Sequence, residues 1–118
     1  MWPHIITFDC YGTLVQWPET LRACFRRLLP EGSDIDAFHR TFTAMHARLR
    51  DGPYRPYTQL LQQALREAMT QWGVLPTPHA PETLLAMVRS IPPYPDVPAC
   101  LTALATQYRL AIISNTED

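Results

Sequence analysis

The sequence predicts an α/β fold in which two short parallel strands flank a long helical region. The first strand is expected at residues 5–8, an apolar run that is followed by a lone acid, Asp9. The second is expected at residues 110–113, an apolar run that ends at Ser114-Asn115. Short runs rich in β-branched and aromatic residues are typical of buried strands. Between them, residues 18–90 contain only helical patterns, which makes the fold class α/β with a helical insertion.

The composition is that of an ordinary globular protein. The chain has 118 residues, enough for one domain, and 47% of them are apolar, which excludes a disordered tail. The formal net charge is -1 and the pI is about 6.4, so the chain has no electrostatic attraction to nucleic acid or to an anionic membrane. The apolar runs are far too short to span a membrane, and no secretory signal precedes the first strand. A cytoplasmic protein is therefore expected.

The three cysteines, Cys10, Cys24 and Cys100, are odd in number and contain no C-x-x-C pair. This pattern argues against a disulfide framework and against a structural zinc site. Cys10 follows Asp9 and raises the alternative of a cysteine nucleophile. That alternative is weak because a thiol phosphatase needs an arginine six positions later, where this chain has Gln16. Strand alternation also directs the Cys10 side chain away from that of Asp9.

Four helical patterns are expected in the insertion, at residues 18–29, 34–50, 58–72 and 82–90. Each has apolar positions at helical spacing. Ser33 and Asp36 resemble a capping box at the start of the second helix. A proline-rich linker at residues 91–95 then leads to a fifth helix that opens at Asp96 and precedes the second strand.

The second helix has two distinct faces. Its apolar stripe contains Ile35, Phe38, Phe42, Met45 and Leu49. At about 100° per residue, the opposite strip contains Ala37, Arg40, Ala44 and Ala47. Arg40 is the only charge in that strip, and a guanidinium can hold a planar carboxylate with two hydrogen bonds. A solvated surface arginine is the alternative. His39 and His46 lie seven residues apart on one side of the helix and are expected to be exposed.

Two motifs resemble those of a known family. Asp9-Cys10-Tyr11-Gly12-Thr13-Leu14 resembles the first motif, D-x-x-G-T-L, of the haloacid dehalogenase superfamily. Tyr11 stands where the phosphatases of the superfamily carry a second aspartate, which resembles the L-2-haloacid dehalogenase branch. Ser114-Asn115 after a strand resembles the second motif. The resemblance implies a partial Rossmann-like core at residues 1–16 and 92–118, carrying a helical cap at residues 17–91.

The resemblance also implies a chemical role for the motif residues. Asp9 would displace halide from a short 2-haloacid and form an ester, which is then hydrolysed to a 2-hydroxy acid. Arg40 would hold the substrate carboxylate, and Thr13 would support the loop. Carbon–halogen displacement of this kind implies no metal and no other cofactor. The implied substrate-binding positions are Cys10, Tyr11, Arg40, Ser114 and Asn115.

The sequence departs from the family pattern in one respect. The family continues past the second motif with a lysine and further acids on later strands, and this sequence contains no lysine. The chain is therefore expected to be the N-terminal portion of a hydrolase. Its open strand edges predict completion by a missing C-terminal half or pairing with a second copy as a homo-oligomer. Two alternatives stay open: a phosphomonoesterase of the same superfamily, and a non-catalytic fragment that serves as an interaction module.

Overall fold

The structure, a computed structural model, describes residues 4–114. Within this range the elements follow the order β1 (Ile5–Phe8), α1 (Trp17–Leu28), α2 (Ile35–Arg50), α3 (Tyr57–Gln71), α4 (Ala80–Arg89), α5 (Val97–Ala105) and β2 (Arg109–Ile112). The predicted order of strands and helices is confirmed, with bounds that shift by one or two residues. The second strand, for example, begins at Arg109 rather than at position 110.

The two strands form a parallel pair. Ile5 lies opposite Arg109, and Phe8 lies opposite Ile112. One residue further, the Ile113 amide donates a hydrogen bond of 2.9 Å to the Phe8 carbonyl. Parallel neighbours need a long crossover connection, which the five helices supply. The α/β class predicted from the sequence is confirmed, and the carboxyl ends of both strands lie at the same edge of the sheet.

Helices α1 to α4 pack around one apolar core, whereas α5 packs against β2. The predicted stripe on α2 is confirmed, since Phe38 and Phe42 are fully buried. Phe25 of α1 meets the edge of Phe38 at a ring-centroid distance of 4.8 Å. The largest buried side chains of this core are Phe25, Phe38, Phe42, Leu21, Leu61, Leu65, Met69 and Leu84. The division of the chain into a cap at residues 17–91 and a partial core on either side stays a prediction.

The two segments that join the helices to the strands pair with each other. The Gln16 amide donates to the Pro92 carbonyl at 2.9 Å, and the Tyr94 amide donates to the Leu14 carbonyl at 3.0 Å. The Tyr94 hydroxyl also donates to the Glu19 carboxylate at 3.0 Å. These bonds hold the segment that leaves β1 beside the segment that leads into α5. They therefore fix the position of the residues that follow the loop after β1.

The residue that caps the N-terminus of α2 differs from the predicted one. Asp34, not Ser33, is the N-cap residue, and its carboxylate accepts a hydrogen bond of 3.0 Å from the Ala37 amide. Aspartate caps a helix as well as serine does, and from this position it reaches the third helical amide. The Ser33 hydroxyl instead donates to the Pro30 carbonyl at 2.6 Å. Asp36 lies 2.9 Å from the Arg22 guanidinium, so it does not complete a capping box.

Candidate active site

The loop after β1 folds back on the carboxylate that opens it. The Cys10 carbonyl accepts hydrogen bonds from the Thr13 amide at 3.1 Å and from the Leu14 amide at 2.8 Å. Gly12 has a φ of 81°, a left-handed conformation that glycine adopts without the Cβ penalty of other residues. The turn brings the Thr13 hydroxyl within 3.0 Å of Asp9 Oδ2, to which it donates. Asp9 is exposed at the carboxyl end of β1, with one of its oxygens oriented by this bond.

The Cys10 thiol is a poor nucleophile in this setting. Burial, and to a smaller extent the negative charge of Asp9, raise the pKa of Cys10 above its usual value. The thiolate is the reactive form of a cysteine, and a raised pKa disfavours it. The structure therefore weighs against the cysteine alternative, and the role of Asp9 as a nucleophile stays a prediction.

Tyr11 joins the loop to the helices. Its ring stacks on the Tyr57 ring at 6.0 Å and 10°, and it lies 4.8 Å from the Trp17 ring. Tyr57 begins α3 and Trp17 begins α1, so one side chain touches the starts of two helices. Burial, together with the neighbouring Tyr11, raises the pKa of the Tyr57 hydroxyl well above its usual value. Tyr57 thus stays neutral and able to donate a hydrogen bond.

A cavity of about 370 Å³ lies beside Ser114, just beyond the carboxyl end of β2. We refer to it as the Ser114 cavity. Its lining combines the end of α2, the following loop and the start of α3: His46, Arg50, Pro53, Tyr54, Arg55, Tyr57, Leu60 and Ser114. Ser114 Oγ and His46 Nε2 are both buried, and neither has a hydrogen-bond partner among residues 4–114. Two cationic side chains and two unsatisfied polar atoms therefore line one cavity, which is partly open to solvent.

The predicted site residues are only partly brought together. Asp9 and Thr13 are in contact, and the strand pairing sets Ser114 at the same edge of the sheet as Asp9. Arg40 is exposed on α2, on the side away from Phe38. It does not line the Ser114 cavity. Asn115 lies outside the described residues. The roles of all these residues remain predictions.

Four residues that line the cavity were not predicted from the sequence to be functional. His46 was expected to be exposed, which is wrong: it is half-buried, and burial together with the nearby Arg50 lowers its pKa. Arg50, Arg55 and Tyr57 carried no recognisable pattern. The available signal was the spacing of His46 and Arg50, four residues apart at the end of α2. Such residues share a face and here point toward the loop.

His39 was also expected to be exposed, and this too is wrong. Its Nε2 is buried without a hydrogen-bond partner in residues 4–114, and the side chain lies near Phe25. Burial, reinforced by the charge of Arg22, lowers the pKa of His39. In the same part of the chain, no group of three or more histidine, cysteine or acidic side chains could hold a metal ion. No helix between residues 4 and 114 is both long and apolar enough to cross a membrane.

Comparison with known proteins gives similarity at the level of structure only. No family model matches the sequence, and no curated protein does. The L-2-haloacid dehalogenase from Xanthobacter autotrophicus superimposes with a TM-score of 0.78 at 22% identity, covering 98% of this chain and 48% of that one. A second L-2-haloacid dehalogenase gives a TM-score of 0.74 at 28% identity, covering 99% and 53%. A defluorinating L-2-haloacid dehalogenase gives 0.77 at 23% identity, covering 98% and 52%.

These similarities show that the chain has an α/β fold of the haloacid dehalogenase type, with parallel strands and packed helices. Within that class, the structural neighbours are L-2-haloacid dehalogenases, as the two sequence motifs predicted. The chain spans about half the length of these neighbours and has the fold of their N-terminal portion.

Proposed function

We propose that this chain carries the nucleophile of a hydrolase that releases halide from a short 2-haloacid. The observation that carries the proposal is the position of Asp9. It stands at the carboxyl end of β1, and the Thr13 hydroxyl orients one of its oxygens at 3.0 Å. Ligands of parallel α/β sheets collect at the carboxyl ends of the strands. The similarity of the fold to L-2-haloacid dehalogenases supports a hydrolase of that superfamily.

The proposed reaction has two steps. The Asp9 carboxylate attacks the carbon that bears the halogen, forming a carbon–oxygen bond while the carbon–halogen bond breaks and halide leaves with the electron pair. Water then adds to the carbonyl of the resulting ester, which releases the 2-hydroxy acid and restores Asp9. A covalent intermediate of this kind divides one difficult displacement into two easier steps.

The remaining predicted residues have supporting roles in this proposal. Arg40 binds the carboxylate of the 2-haloacid through its guanidinium. Amide groups of Cys10 and Tyr11, with the polar groups of Ser114 and Asn115, stabilise the oxygen atoms of the substrate and the ester. Thr13 keeps the Asp9 carboxylate aligned for attack. Alignment of this kind contributes because a misplaced nucleophile loses the advantage of proximity.

The identity of residue 11 separates this proposal from a phosphomonoesterase. The phosphatases of the superfamily use an aspartate at this position to protonate the leaving group. Here the Tyr11 ring is engaged in aromatic contacts with Trp17 and Tyr57. The position therefore offers packing and no carboxylate, which favours carbon–halogen over phosphoryl chemistry.

Halide release from 2-chloropropanoate tests the proposal. We expect release when this chain is combined with the C-terminal half that the family pattern predicts, and complete loss in Asp9→Asn, which keeps the size of the side chain and removes its nucleophilic oxygen. Asp96→Asn is the matched control, because Asp96 is exposed before α5 and makes no capping hydrogen bond with its side chain. Phosphate release from simple phosphomonoesters without any halide release would instead support the phosphatase alternative.

A further inference from the structure

We propose that Tyr57 is a positioning residue, which holds the loop after β1 against the helices through its stack on Tyr11. The inference rests on the proposed function, because that loop begins with the proposed nucleophile, Asp9. Tyr57 acts through Tyr11 and needs no contact with the substrate. Three observations support this role: the geometry of the stack, the anchoring of Tyr57 in the helices, and the local character of the hydrogen bonds within the loop.

The Tyr11 ring contacts the starts of two helices. It stacks on the Tyr57 ring with a centroid distance of 6.0 Å and an angle of 10° between the planes. It also lies 4.8 Å from the Trp17 ring, at an angle of 48°. Both distances fall in the range in which aromatic rings attract each other. Because Tyr11 follows Asp9 by two residues, a displacement of this ring also displaces the backbone next to the carboxylate.

Tyr57 is itself anchored in the helices. It is the first residue of α3, and its ring lies perpendicular to the His46 ring, at 88° and 5.7 Å. His46 in turn stacks on the Phe42 ring at 6.2 Å and 18°. Phe42 is 1% exposed and belongs to the apolar core. A continuous row of four aromatic rings therefore connects the loop after β1 to the core between α2 and α3.

The hydrogen bonds within the loop shape its turn. The Gly12 amide donates to the Val15 carbonyl at 3.0 Å, and the Thr13 amide donates to the Cys10 carbonyl at 3.1 Å. Each of these bonds joins two residues of the same loop, so neither fixes the loop relative to a helix. The stack on Tyr57 provides that connection.

The connection affects how Asp9 stands relative to Arg40, the arginine proposed to bind the substrate carboxylate. Asp9 follows β1, whereas Arg40 belongs to α2. Helices α2 and α3 pack closely on each other. The contact between Tyr11 and Tyr57 therefore joins the segment that carries Asp9 to the helices that carry Arg40. Small displacements of reacting groups slow a displacement reaction strongly, so such a contact can influence the rate.

The reactivity of the three cysteines tests the inference without catalysis. Cys10 lies between Asp9 and Tyr11 and reports on the loop. Cys24 is fully buried between the helices and reports on their unfolding, whereas Cys100 is exposed and serves as the internal reference. The rate at which iodoacetamide modifies each cysteine is measured by mass spectrometry of the peptides, at low protein concentration.

We expect Tyr57→Leu to raise the rate at Cys10 by about 3- to 10-fold relative to Cys100, because the loss of an aromatic pair shifts an equilibrium by about this factor. Cys24 should stay protected in this variant. Tyr57→Phe keeps the ring and should leave the rate at Cys10 unchanged.

Trp72→Leu is the matched control. Trp72 follows the opposite end of α3 and forms an aromatic pair with Phe38 at 5.3 Å. This variant also loses an aromatic contact, but one that does not involve the loop after β1. The rate at Cys10 should therefore remain that of the natural protein.

Steady-state kinetics separate positioning from substrate contact when this chain is combined with the C-terminal half that the family pattern predicts. We expect Tyr57→Leu to lower kcat for 2-chloropropanoate by about tenfold with KM unchanged. Tyr57→Phe should retain the kcat of the natural protein. A residue that only bound the substrate would raise KM and leave kcat unchanged.

Four results would overturn the inference: an unchanged rate at Cys10 in Tyr57→Leu, equal acceleration at Cys10 and Cys24 in that variant, equal effects of Tyr57→Leu and Tyr57→Phe, or a rise in KM with kcat unchanged. Absence of halide release from the natural chain and its C-terminal half would instead refute the proposed function. Selective acceleration at Cys10 in Tyr57→Leu would then still support the role of Tyr57 in holding the loop.

Discussion

At the residue scale, the contact between Thr13 and Asp9 is the most local determinant of the proposed chemistry. Thr13→Val removes the hydroxyl while keeping the β-branched shape. A hydrogen bond to a charged group contributes about 1.5–3 kcal/mol, so we expect halide release to fall by about 10- to 100-fold. Thr13→Ser keeps the donor and should retain most of the activity. Equal rates in the natural protein and Thr13→Val would show that the bond of 3.0 Å does not orient the nucleophile.

A second prediction at this scale concerns His46 and pH. Its pKa is lowered below 6.5, chiefly by burial and then by Arg50, so the unfolded chain binds a proton more readily than the folded one. Stability is therefore fully present above about pH 6.5 and declines as the pH falls from there toward the folded pKa. We expect His46→Gln to flatten this decline in urea unfolding measured between pH 7.5 and 5. His79→Gln, at an exposed site, is the control. A natural protein with equal stability at both ends of this range would refute the prediction.

At the element scale, α2 depends on its N-cap. We expect Asp34→Ala to lower the free energy of unfolding by about 1 kcal/mol, because the Ala37 amide loses its acceptor. Chemical denaturation followed by circular dichroism measures the change. Ser33→Ala is the matched control and should have a smaller effect, since the Ser33 hydroxyl bonds only to the Pro30 carbonyl among residues 4–114. A larger loss of unfolding free energy in Ser33→Ala than in Asp34→Ala would contradict the Asp34 cap and support the capping box predicted from the sequence.

The elements themselves were largely predictable because local rules determine them. Apolar periodicity located α2 and its buried face, and the long insertion predicted parallel pairing of β1 and β2. The Ser114 cavity was not predictable in this way. It joins the end of α2, a proline-bearing loop, the start of α3 and the residue after β2, so only tertiary packing brings its lining together. His46 illustrates the difficulty: its spacing indicated a surface position, and contacts made by distant segments bury it.

At the scale of the whole molecule, the small sheet leaves apolar side chains exposed to solvent. Ile5, Ile112 and Ile113 are 56%, 59% and 69% exposed, in contrast to the fully buried core of the helices. Apolar surface and open strand edges favour association with another chain. We therefore expect the protein to self-associate as its concentration rises, as measured by sedimentation velocity.

Ile112→Lys should reduce this association, because it sets a charge on the exposed strand. Leu75→Lys is the matched control, since Leu75 is 90% exposed in the connector between α3 and α4, away from the sheet. A protein that stays monomeric at all concentrations, or an equal effect of the two variants, would contradict an interface at the sheet.

The central claim is that Asp9 forms an ester with the substrate, and mass spectrometry tests it most directly. The protein is mixed with a limiting amount of 2-chloropropanoate, quenched in acid and digested, and the peptide that contains Asp9 is analysed. The same experiment is run on Cys10→Ser, because a thiol next to Asp9 could be alkylated without catalysis. We predict a carboxyethyl group on Asp9 in both proteins and none in Asp9→Asn. An unmodified Asp9, or modification of Cys10 alone, would contradict the claim.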